Sequence, residues 1–117
     1  MIKNKSGVWG EVYAARYLRD MGYDILCSNY SCRFGEIDLI ASNKNTLCFI
    51  EVKARNKSTA VRPMEAVDEG KQKRVNLTAQ SFIAYSKLKG DIRFDVCEVY
   101  LNDNDTLDRI NYIKNAF

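Results

Sequence analysis

Residues 35–55, GEIDLIASNKNTLCFIEVKAR, limit the choice of fold more than any other stretch. Two apolar runs, DLIA and LCFIEV, flank the polar segment Asn43-Lys44-Asn45-Thr46. Such a pattern reads as a β-hairpin, with strands over roughly 36–42 and 46–54. A two-residue turn at Lys44-Asn45 suits a tight connection, although it is a weaker signal than Asn-Gly. With that turn, Asp38 faces Glu51 and Glu36 faces Lys53, and period-two alternation puts all four on one face. The other face carries Ile37, Leu39 and Ala41 opposite Cys48, Ile50 and Val52; it is wholly apolar and must be core. A turn one residue longer would shift the whole pairing.

Directly opposed residues have Cβ atoms about 5 Å apart, and like charges there weaken a sheet. Two facing carboxylates need a proton, a lysine or a cation between them. Oxygen ligands suit Mg²⁺ or Mn²⁺. The competing reading is a solvated strand face carrying a Glu36–Lys53 salt bridge.

The remaining elements follow from caps and periodicity. Ser6 can N-cap a helix running to about Met21, with Gly22 at its C′ end. YDILCSNY (23–30) reads as a strand. Residues 55–66 form a basic loop with the single proline, and a second helix runs from about Asp68 to Leu88, closed by Gly90. DIRFDVCEVYL (91–101) is a strand, NDND a turn, and LDRINYIKNAF an edge strand with a short tail. The order is α-β-β-β-α-β-β, an α/β fold with a mixed sheet flanked by helices. The 117 residues make a single domain, with no repeat or linker.

Each helix carries one charge on its apolar side. At about 100° per residue, Gly7, Val8, Ala14, Ala15 and Leu18 cluster on one side of the first helix, with Glu11 among them and Arg16, Arg19 and Asp20 opposite. A carboxylate there is costly to bury unless it is paired or bound to a metal. In the second helix, Lys71 sits among Val67, Val75, Thr78, Phe82 and Tyr85, while Lys73 points away. Lys71 can pair with a carboxylate, meet a phosphate or snorkel to solvent.

Several function classes fall away. The chain has no histidine, which removes serine–histidine and cysteine–histidine catalysis. Cys27, Cys32, Cys48 and Cys97 form no C-x-x-C pair, so a structural zinc site is not expected. Buried free thiols in a reducing cytoplasm are the plain reading. No apolar run of membrane-spanning length exists, and MIKNKSGVWGE has no apolar signal-peptide core, so a cytoplasmic protein without membrane contact is expected. A net charge of +3 permits an anionic partner without demanding one.

A helix with Glu11, a strand with Asp38 and then Glu51-Val52-Lys53 on the next strand resembles the restriction-endonuclease-like, or PD-(D/E)-x-K, nucleases. GEVYAARYLRDMGYDIL, GEIDLIA, FIEVKAR, RFDV and NAF resemble the YraN-type family of small bacterial proteins, related by fold to Holliday-junction resolvases. The similarity spans nearly the whole chain. Ile37 stands where the motif often has proline.

The resemblance implies that Asp38, Glu51 and the Val52 carbonyl hold the metal and that Lys53 positions the attacking water. It implies a contribution to the metal site from Glu11, and less directly a role for Lys71. The implied reaction is in-line hydrolysis of a DNA phosphodiester, possible substrates including branched or flapped structures, with 5′-phosphate and 3′-hydroxyl products. Resolvase-like relatives act as dimers, so the resemblance admits a homodimer.

Nucleic-acid contact is expected from the basic rim: Lys53, Arg55, Lys57, Arg62, Lys71 and Arg74, with Lys73 beside them. Trp9 and Tyr13 either stack on bases or pack at the edge of the first helix. The alternative to a nuclease is a non-catalytic nucleic-acid-binding or adaptor module that keeps the acidic site.

Overall fold

The hairpin forms in the expected register. Its partners run from Asn43↔Thr46 through Ala41↔Cys48 to Leu39↔Ile50. Lys44 supplies the left-handed turn residue, with φ 56°. The structure, a computed structural model, describes residues 5–58 and 68–117. The elements are α1 (Lys5–Asp20), β1 (Asp24–Cys32), β2 (Gly35–Asn43), β3 (Thr46–Asn56), α2 (Glu69–Ser86), β4 (Asp91–Leu101) and β5 (Leu107–Ile113). They form one five-stranded sheet in the order β1-β2-β3-β4-β5. Only β3 and β4 run parallel, so the chain must cross over between them, and α2 lies within that crossover. This is the α-β-β-β-α-β-β arrangement expected of a restriction-endonuclease-like core.

Alternation along the strands fills two cores. On one face, Leu39, Ala41, Cys48, Ile50, Cys97, Val99 and Leu101 pack with Ala14 and Leu18 of α1. On the other, Ile40, Leu47 and Phe49 pack with Ala79 and Phe82 of α2. Ile37 departs from the sequence reading: it joins Ile40 and Phe49 rather than Leu39 and Ala41. The pairing of β2 with β3 ends at Leu39↔Ile50, whereas β2 stays paired with β1 as far as Cys32↔Gly35.

The helix faces also differ from the simple wheel. Val8 is half-exposed and Tyr85 lies in solvent, so neither belongs to its inner stripe. The contact line of α1 runs through Gly10, Ala14 and Leu18, and Gly10 sets it. A Cβ at Gly10 would meet the Ala54 Cβ at 2.8 Å, so the helix approaches β3 where only glycine fits. Glu11 is thereby turned to the flank and is half-buried rather than buried.

The helix ends also differ from those the sequence predicts. Ser6 lies inside α1, which spans Lys5–Asp20. Asp68 does cap α2, its side chain accepting from the Lys71 N–H, but the helix stops at Ser86 with Lys87 as a left-handed C-cap. Gly90, with φ 152°, sits against the Asn45 carbonyl at the start of β4 instead. Val67 and Arg62 lie outside the described residues. No helix among the described residues is long and apolar enough to cross a membrane.

All four cysteines are free and lie in strands. Cys48 and Cys97 are buried, whereas Cys27 and Cys32 are only half-buried. Burial pushes the Cys48 thiol up to about 11 and the Cys97 thiol up to about 12. Native alkylation near pH 8 is therefore expected to modify Cys27 and Cys32 and spare Cys48 and Cys97, read by peptide mass spectrometry. Rapid labelling of Cys97 in the folded protein would contradict this core.

Candidate active site

The sheet edge of the site is made where β2 and β3 part. In a regular ladder the Val52 N–H would seek Ile37. Instead it donates to Asp38 Oδ2 at 2.8 Å. The N–H and C=O of one strand residue point to the same side, so the Val52 carbonyl faces the same gap. Glu51 and Lys53 follow on the α2 side of β3, past the stretch where Phe49 packs on Phe82. Lys71 comes down from the first turn of α2.

Of these, Asp38, Glu51 and Lys71 line one cavity of about 240 Å³, together with Glu36. The rest of its lining is apolar: Ile37, Phe49, Ile50, Val75 and Phe117. Lys71 Nζ hydrogen-bonds Glu51 Oε1. Lys53 Nζ lies 3.8 Å from the same oxygen rather than bridging to Glu36. Both ammonium groups thus serve Oε1. Glu51 Oε2 is buried and has no hydrogen-bond partner among the described residues. A buried carboxylate oxygen without a donor is costly, so this atom fits a cation.

Glu11 is placed elsewhere. It lines a neighbouring cavity of about 540 Å³ between α1 and the β1–β2 edge, with Val12, Ala15 and Arg19. Glu36 borders both cavities. Among the described residues no three His, Cys, Asp or Glu side chains are gathered closely enough to hold a metal. Two carboxylates and a carbonyl remain, and Mg²⁺ commonly takes only one or two protein carboxylates, completing its shell with water and phosphate.

The basic rim is partly occupied. Arg55 Nε bonds the buried Glu98 at 3.3 Å, and Lys57 lies 3.8 Å from Asp108. Lys73 and Arg74 are exposed on α2. Trp9 stacks on Tyr13 at 5.9 Å, and the Tyr13 hydroxyl donates to the Asp105 carbonyl, which favours packing over base stacking for this pair.

The 10–99 segment matches the model of "Uncharacterised protein family UPF0102". The chain belongs to that family. A UPF0102 protein of Caldanaerobacter subterraneus subsp. tengcongensis is 48% identical, the alignment covering 98% of this chain and 96% of the relative. One from Caldicellulosiruptor saccharolyticus is 44% identical over the full length of both, and one from Clostridium acetobutylicum 43% identical over 99% and 96%. The YraN-type resemblance is borne out by this membership.

Sequence reasoning missed two parts of this UPF0102 site. One is Phe117, which lines the cavity. The other is Asp95, fully buried on β4, which holds the tail bearing Phe117. Charges at Arg93, Asp95 and Glu98 inside an otherwise apolar strand were the available signal.

Proposed function

We propose that the chain is a metal-dependent nuclease that hydrolyses DNA phosphodiester bonds. Asp38, Glu51 and the Val52 carbonyl would hold Mg²⁺ or Mn²⁺. The observation that carries this reading is Glu51 Oε2, buried without a donor in the same cavity as Asp38. When bound, the cation supplies Lewis acidity at the phosphate and lowers the pKa of a water.

The chain's own groups do the rest. The Val52 N–H fixes the Asp38 carboxylate. Lys53, two residues from Glu51 on the same strand face, orients the attacking water and offsets charge as it develops. Lys71 exchanges its bond to Glu51 for the substrate phosphate. Rigid strands hold such a constellation more accurately than loops do.

A specific observation favours a second reading. Lys71 and Lys53 both sit on Glu51 Oε1 and can balance its charge without a metal. This suits a non-catalytic nucleic-acid-binding or adaptor module. Cleavage of end-labelled linear, flapped and four-way-junction DNA with Mg²⁺ or Mn²⁺ separates the two. A nuclease cuts only with the divalent ion; an adaptor binds with a steep salt dependence and cuts nothing.

A further inference from the structure

We propose that the cavity beside Asp38 and Glu51 seats one unpaired nucleotide, its base stacked on Phe117 and its phosphate at the carboxylate end. The inference rests on the proposed function and deepens it by naming the substrate class.

The cavity lining is chemically mixed. A phosphodiester needs Asp38, Glu51 and Lys71, but has no use for Val75 and Phe117. A base does, because pockets that take a base out of the stack hold it between apolar and aromatic side chains. The volume agrees. At about 240 Å³ the cavity lies below the roughly 300–1,000 Å³ of pockets for drug-sized ligands, so it suits one ring system and not a paired duplex.

Phe117 is placed for this purpose. A row of rings runs from Phe82 to Phe49 at 6.1 Å, to Phe94 at 5.7 Å and to Phe117 at 5.4 Å, the last pair stacked at 24°. The ring is half-buried, borders the cavity and belongs to neither core cluster. Its backbone approach is fixed by two hydrogen bonds to β4. The Asn115 N–H donates to Asp95 Oδ1 at 3.0 Å, and the Ala116 N–H to the Phe94 carbonyl at 2.8 Å. A rigid aromatic ring beside a phosphate site is what base stacking requires.

The test is fluorescence anisotropy with Ca²⁺ replacing Mg²⁺, so that binding is read without cutting. The probes are a short oligothymidylate, its abasic counterpart and a duplex of the same length. Phe117→Ala and Phe117→Leu are each expected to weaken the oligothymidylate by about 5- to 150-fold, the equivalent of ~1–3 kcal/mol per stacked base. Phe117→Trp binds it as wild type does. The abasic strand is already weak with wild type and does not respond to either variant. Thermal melting of each variant reports the fold separately.

Full binding by Phe117→Leu would make the residue a mere apolar filler and overturn the proposal. So would equal losses on strand and duplex, or a wild type that ignores the missing bases. A protein that shows the expected pattern but never cuts loses the nuclease reading and keeps this inference. One that cuts DNA while Phe117→Ala binds normally loses this inference alone.

Discussion

Glu51→Gln is expected to remove divalent-dependent cleavage, lowering the rate at least about 1,000-fold, and to change folding stability by less than ~1 kcal/mol. The two effects separate because the side chain has two jobs. Glutamine keeps the volume and an oxygen that can accept from Lys71. It loses the charge that would pair with a cation at Oε2. The Lys71–Glu51 pair is partly solvated, with side-chain exposures of 37% and 20%, so its loss costs the fold little. Cleavage is measured on whichever of the three DNA substrates wild type cuts best, with both proteins purified free of other nucleases. Stability is measured by denaturant titration. Wild-type cleavage by the variant would sink the metal assignment, whereas an unfolded variant would show that Glu51 is structural.

Asp95→Ala is expected to behave in the opposite way, through the fold first. Asp95 is fully buried, and its carboxylate accepts from Arg93 Nε and Nη2, from the Tyr112 hydroxyl at 2.6 Å and from the Asn115 N–H. The hydrogen bonds it donates to Asp95 raise the Arg93 guanidinium above its usual value. Burial, and then the bond to Asp95, does the same for the Tyr112 hydroxyl. Removing the carboxylate leaves Arg93 largely buried and uncompensated, which costs about 3–5 kcal/mol. For a chain of this size that corresponds to a fall in Tm of roughly 10–20 °C, read by differential scanning calorimetry. Below the new Tm the tail has also lost the acceptor for Asn115. A change in Tm of only a degree or two would mean that the network is dispensable.

Local rules reached some parts of this molecule and failed at others. The hairpin was legible because a two-residue turn fixes every later pair, and Asn43↔Thr46 leads directly to Leu39↔Ile50. The start of α2 was legible to within one residue, and Asp68 proves to be its N-cap. The facing of α1 was not. Its stripe of small residues is broad, and the choice between Val8 and Gly10 depends on Ala54, a contact no window of sequence contains. Glu11 was misread for the same reason: one residue's rotation, about 100°, separates the sheet from the flanking cavity. The tail was opaque because Phe117 is placed by Asp95 and Phe94, more than 20 residues earlier. The pairing of Lys71 with Glu51 was anticipated from an inward lysine, but its partner was fixed only by the crossing of α2 over the hairpin.

The most direct measurement is anomalous scattering from a crystal of the wild-type protein soaked in Mn²⁺. The account predicts a peak within direct ligand distance of Glu51 Oε2 and an Asp38 carboxylate oxygen, absent from Glu51→Gln crystals treated identically. Glu51 Oε2 without a metal neighbour in a crystal saturated with Mn²⁺, and with Lys71 and Lys53 still on Oε1, would contradict it.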